Sequence, residues 1–237
     1  MKAIVVSLLV ILAAIPLHTT CTGCRGPYIY SGDFDPNNPN ANGLANETDG
    51  IVGGNPYGAA TYENFVLDGP AFIYNMFTNN LSQLDPTTGY WEIRSGMSEG
   101  NGGTLIASGT GPITQTPTGR SGFGYTEYQD MVEGLGISLG AGTYWFALVP
   151  NCTTCFGRSF NSNTFGLNSV GTFIDNDQFW NSSFFGANFT NANNDGVFPR
   201  FSGGLNGVIV PEPSTLLMLG TGLAGAATAA ARRRFGK

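Results

Sequence analysis

From Tyr62 to Val149 apolar and polar positions alternate in short runs broken by Gly, Pro, Asn and Asp. Runs of that kind read as strands joined by turns. Tyr62–Leu67 stops at Asp68-Gly69-Pro70 and Ala71–Phe77 follows at once, which predicts a tight connection between two strands. Tyr90–Arg94 places Trp91 and Ile93 on one face and Glu92 and Arg94 on the other, the period of a half-buried strand. Thr104–Ala107, Phe123–Tyr128 and Leu135–Leu139 repeat the pattern. The clearest pair is Ile137–Leu139 and Thr143–Val149 about Gly140-Ala141-Gly142, which reads as a hairpin. In the second member Tyr144, Phe146 and Leu148 share one face and Trp145, Ala147 and Val149 the other. A run apolar on both faces predicts a central strand covered on both sides.

No window of the body longer than about ten residues carries a helical period. Many short strands with regular turn signals predict an all-β fold, a β-sandwich of jelly-roll-like type. Gly32–Gly43 is turn-forming and poor in apolar residues, and reads as a loop. Phe160–Phe201 is rich in Asn, Ser, Gly and Phe and predicts short strands with long loops, the place where binding usually sits.

The two ends break this pattern. Lys2 precedes the apolar run Ala3–Ile15, and Pro16 and small polar residues follow. That is the order of a secretory signal peptide, assigned to residues 1–24, with an apolar helix too short to span a membrane comfortably. The exported domain is then 25–209. The tail, 210–237, opens on Pro211-Glu212-Pro213, continues as an uncharged apolar run over 216–231, and closes on Arg232-Arg233-Arg234. At ~1.5 Å per residue the apolar run makes a helix of about 24 Å, a minimal transmembrane segment. The arginines would hold its end on the cytoplasmic side.

These three elements, in this order, closely resemble the PEP-CTERM sorting signal of Gram-negative bacteria. The resemblance covers only the tail. It implies export by the general secretory route, transient residence in the inner membrane, and recognition of the Pro211-Glu212-Pro213 motif by an exosortase. It further implies a cell-envelope, cell-surface or extracellular-matrix location in an exopolysaccharide or biofilm setting. It names no activity for the body.

Charge narrows that activity. The chain carries 16 acids, 10 Lys and Arg and one His, a net −6. Between Arg25 and Val210 there are five arginines, no lysine and no histidine, against 15 acids, so the body is near −10. Nucleic acid is excluded as a partner, because phosphate contacts need clustered cations. Ser-His-Asp, Cys-His, Schiff-base and P-loop chemistry lack their essential side chains.

Several residues are candidates for what remains. Cys152 and Cys155, a C-x-x-C pair in an exported chain, are read as a local disulfide, with structural zinc or a redox pair as alternatives. Cys21 and Cys24 form a second such pair near the signal's end. Asp33 and Asp35, and Asp175 and Asp177, offer oxygens at alternate positions, as weak calcium candidates against ordinary Asx-turn chemistry. Glu63, Glu92, Glu127, Glu133, Asp175 and Asp177 include any pair a carboxylate glycosidase would use, although Glu92 and Glu127 read as solvent-facing strand positions. Trp91 and Trp145 belong in the core, while Trp180, in the loop-rich segment, is the candidate for an exposed sugar-stacking platform.

The sequence therefore predicts a non-enzymatic, exported structural or adhesive protein. A carbohydrate-binding module, with calcium in some versions, is the alternative, and a carboxylate glycosidase the second alternative.

Overall fold

The computed structural model describes residues 29–49, 58–152, 157–210 and Thr221. The signal segment 1–24 with Cys21 and Cys24, Cys155, Pro211-Glu212-Pro213, Arg232-Arg233-Arg234 and all of 216–231 but Thr221 lie outside the described residues. Among those described, no helix is long and apolar enough to cross a membrane.

From Ile29 to Val210 the regular structure of the described residues is nearly all strand, with one 3-10 turn at Ala192–Asp195 and no α-helix. The strands are β1 (Ile29–Tyr30), β2 (Gly43–Ala45), β3 (Thr48–Asp49), β4 (Ala59–Leu67), β5 (Ala71–Ser82), β6 (Thr88–Ser95) and β7 (Thr104–Gly122). They continue with β8 (Tyr125–Leu139), β9 (Gly142–Cys152), β10 (Ser159–Thr164), β11 (Phe179–Ser182), β12 (Ala187–Asn191), β13 (Arg200–Phe201) and β14 (Gly203–Ile209). The path is β1-β14-β5-β8-β7-β6-β9-β4-β11-β12, with β10 joined to β5, β2 and β13. Every named pair is antiparallel except β3 with β9.

This is a curled sheet whose two halves face each other, and β7 is the corner. Its first part, Thr104–Pro112, pairs with β6, and its second, Ile113–Gly122, pairs with β8. Glycines let the bend close: a Cβ on Gly109 would lie 2.7 Å from Trp91 Cζ2, and one on Gly111 2.8 Å from Val132 Cγ1.

The core fills the space between the halves. Ile73, Met76, Val132, Ile137, Leu139 and Leu205 come from one half, and Phe65, Leu67, Ile93, Phe146 and Leu148 from the other. Full burial of each such side chain stabilises the fold by roughly 1.5–3 kcal/mol. β9 is central, between β6 and β4. Its Phe146 and Leu148 enter this core, with Tyr144 packed against it, while Trp145, Ala147 and Val149 enter a second cluster with Tyr62, Met97 and Phe179. The two apolar faces expected of this strand are both covered.

Two expectations are corrected. The Gly140–Gly142 turn does not make a hairpin: β8 pairs with β5 and β7, and β9 with β6 and β4. The turn carries the chain from one half of the sheet to the other, so Leu139 and Phe146 meet across the core instead of side by side. The tight connection at Asp68-Gly69-Pro70 crosses between the halves in the same way, because β4 and β5 do not pair either. Second, Glu92 and Glu127 do not face solvent; they are 2% and 0% exposed. The alternation along β6 is as expected, but the face bearing Glu92 is roofed by Tyr62, Tyr90 and Arg94.

Candidate functional site

The outer face of the half-sheet β1-β14-β5-β8-β7 carries an open groove of about 440 Å³. Each strand supplies part of the lining: Tyr30 from β1, Asn206 from β14, Phe77 from β5, Gln129 and Met131 from β8, and Thr116, Pro117, Thr118 and Arg120 from β7. Asp33, from the loop after β1, closes one end. Residues whose neighbours in sequence point into the core point out here; Met76 and Val132 are inward where Phe77 and Met131 are outward.

Arg120 organises the closed end. Its Nε donates to Glu127 Oε2 at 2.5 Å and its Nη1 to Asp33 Oδ1 at 2.7 Å. Glu127 also accepts from Thr118 Oγ1 at 2.8 Å and Ser162 Oγ at 2.6 Å. Asp33 accepts from Tyr30 Oη at 2.5 Å and Asn168 Nδ2 at 2.6 Å. Burial works to raise the Asp33 pKa, but the hydrogen bonds from Tyr30 and Asn168 and the Arg120 cation together bring it below the ordinary carboxylate value. Tyr30 moves the other way, raised by burial and by the Asp33 carboxylate it bonds. The groove thus presents a phenol, amides and hydroxyls beside a cation already neutralised by two carboxylates.

Four other acids, Glu47, Glu63, Glu92 and Asp130, are buried and bonded inside the protein. Glu92 accepts from Tyr90 Oη at 2.7 Å, Tyr62 Oη at 3.2 Å and Arg94. Glu47 accepts from Arg158 Nε at 2.6 Å and Ser159 N at 2.7 Å. Glu63 is wholly buried, bonded by the Phe201 N–H, and burial pushes its pKa well up. Asp130 lies between the sheet halves, accepting from Asn80 Nδ2 at 2.8 Å and Gln115 Nε2 at 2.9 Å; burial raises its pKa to about 7. Glu133 is exposed on the outer face of β8. Each of the four described arginines is ion-paired.

The calcium candidates are not brought together. Asp33 is held as above, and Asp35 Oδ1 caps the Asn37 N–H at 2.9 Å in an Asx turn. Asp175 pairs with Arg200 at 2.5 Å. Asp177 offers its carbonyl to Trp145 Nε1 at 2.7 Å, and burial raises its carboxyl pKa. Among the described residues no three His, Cys, Asp or Glu side chains form a metal-binding group. Cys152 is disulfide-bonded, and its partner lies outside the described residues.

Trp180 is not an exposed platform. It is 7% exposed on β11, its Nε1 donates to the Ala45 carbonyl at 2.9 Å, and it packs on Ala45 and Ala59. The Asn-rich flanks disguised a strand that pairs with β4 on one side and β12 on the other. The groove residues Tyr30, Thr116, Thr118, Gln129 and Asn206 carried no local signal. Arg120 did carry one, as one of only five body arginines.

At the far end of the groove sheet, β14 runs along β5 until Ile209 faces Ala71, and the Val210 N–H donates to the Pro70 carbonyl at 2.8 Å. Residues 210–234 match the PEP-CTERM protein-sorting motif. The chain ends in a PEP-CTERM sorting motif. That signal marks an exosortase-sorted protein exported to the cell envelope. The PEP-CTERM segment begins at the residue after the last strand, so folded body and sorting signal adjoin. No curated protein and no solved structure matches the chain significantly.

Proposed function

We propose that this PEP-CTERM protein is a non-catalytic adhesive domain of the surface or extracellular matrix of a Gram-negative bacterium, which holds neutral polysaccharide along its outer groove. During sorting, the run 216–231 seats the tail in the inner membrane with Arg232-Arg233-Arg234 on the cytoplasmic side.

The groove carries this reading. It crosses five adjacent strands, about 19 Å at ~4.8 Å per strand gap, long enough for several sugar units in a row. Its Tyr, Asn, Gln and Thr groups suit hydroxyl-rich partners. The ligand class is neutral because Arg120 is compensated by Asp33 and Glu127 and the body as a whole is acidic, which disfavours polyanions. The non-catalytic part is supported by the acids. A glycosidase needs one carboxyl held protonated beside a second in an open cleft. The groove offers Asp33 alone, with its pKa lowered, while Glu63 and Asp130, whose pKa values are raised, are buried elsewhere.

Affinity electrophoresis of the protein in native gels tests the proposal. Hydroxyethyl cellulose in the gel should retard migration, and alginate should not. Equal mobility in both gels contradicts it.

A further inference from the structure

We propose that, while its tail is seated in a membrane, the protein stands end-on against the lipid surface. The face it presents is built from the β4–β5 turn (68–70), the β8–β9 turn (140–141) and the end of β14. This rests on the tail reading given above and adds an interaction surface that the sorting motif does not specify.

The strand registers place all three pieces at one end of the body. Ile209 faces Ala71, Ala71 faces Leu139, and Leu67 faces Gly142. The Val210 N–H bond to the Pro70 carbonyl fastens the departing chain to this same end. From Val210 to Leu216, where the apolar run begins, there are six Cα steps. Fully extended they reach about 21 Å, and part of that is consumed by the ~5–8 Å headgroup layer. β5 alone, with 12 residues, runs about 40 Å. The tether therefore reaches the membrane from the Val210 end and falls short of it from the opposite end, where Phe123 and Gly124 turn between β7 and β8.

The surface chemistry agrees. The body is near −10, and an acidic surface is repelled by anionic lipid. The two turns carry Gly69, Pro70, Gly140 and Ala141 with Asp68 as their one acid, and Glu99, in the β6–β7 connection at the same end of the sheet, accepts from the Asn191 N–H. Ile209 and Val210 are 63% and 42% exposed, so the apolar character of the tail already starts on the folded body. Standing this way, the groove begins at Asn206, level with Asn75 and four residues up β5 from Ala71, or about 13 Å above the end face. On the side of the body, it opens parallel to the lipid surface.

The test uses the full chain in phosphatidylcholine vesicles. A photoreactive side chain is placed singly at Gly69, Ala141, Asn37 or Phe123, and lipid adducts are counted in protein that co-floats with the vesicles. At least tenfold more adduct at 69 and 141 than at 37 and 123 is expected. Equal labelling at both ends of co-floating protein, or stronger labelling at 123, overturns the orientation while leaving the tail reading intact. Failure to co-float overturns the tail reading and the orientation with it.

Discussion

Arg120 donates its Nε to Glu127, a carboxylate with no exposed side-chain surface, on the strand next to its own. A charge buried that deeply stays folded only because the cation and two hydroxyls, from Thr118 and Ser162, satisfy it. Arg120→Met leaves Glu127 uncompensated, and urea unfolding should show a loss of about 3 kcal/mol. Adding Glu127→Gln in that background should recover part of the loss, because a neutral amide no longer needs the cation. If the single variant unfolds at the wild-type urea midpoint, this account of the closed end of the groove is wrong.

Asp130 predicts how stability depends on pH. Its pKa is about 7 in the folded protein and ~3.9 in an unfolded chain. The folded state therefore holds a proton over that interval that the unfolded state has released. Stability from this group is fully present below about pH 4 and is lost as pH rises through 7. Glu63, raised by the same burial, acts in the same direction, while Asp33, lowered, loses its contribution as pH falls through its folded pKa. Asp130→Asn should flatten the decline in urea midpoint between about pH 4 and pH 7. The slope is the readout, since the amide also loses one acceptor toward Asn80 or Gln115.

Trp180 and Gln129 separate packing from binding. Trp180→Ala removes a buried ring and its bond to the Ala45 carbonyl, and should cost about 3–5 kcal/mol. Trp180→Phe, which stays folded, should leave polysaccharide retardation unchanged. Gln129→Ala, in the groove, should change stability by less than about 0.5 kcal/mol and abolish the retardation. The reverse outcome would return the sugar site to Trp180.

The Cys152 disulfide supplies a fourth test. If its partner is Cys155, the loop closed is very short and reduction should cost only about 2 kcal/mol. Unfolded without reductant, Cys155→Ser should then leave the buried Cys152 thiol open to alkylation, whereas Cys21→Ser and Cys24→Ser should leave Cys152 blocked.

Much of this fold was legible locally. The double apolar face of β9 announced a central strand, and the structure packs Ile73, Met76 and Val132 of the facing half into the core with one face and Met97 and Phe189 into the cluster on the other. What local pattern does not encode is which partner a strand finds. Gly140–Gly142 has the chemistry of a hairpin and of an inter-layer crossing alike, and only the pairing of β8 with β5 decides between them. Glu92 alternates with Ile93 as expected, yet its cover arrives from Tyr62, thirty residues earlier. The groove was illegible for the same reason. Tyr30, Asn206, Gln129 and Arg120 become neighbours only when β14 returns beside β1 and β5. The sorting tail was fully legible, because its order of motif, apolar run and basic end is local.

Calorimetric titration with a neutral glucan oligosaccharide, cellohexaose, tests the central claim most directly, run on the wild-type protein and on the Gln129→Ala/Asn206→Ala variant. The account predicts saturable binding by the wild type and none by the equally folded variant. Binding that the double substitution leaves unchanged, or no saturation of the wild type by about 10 mM sugar, an affinity weaker than ~3 kcal/mol, would contradict it.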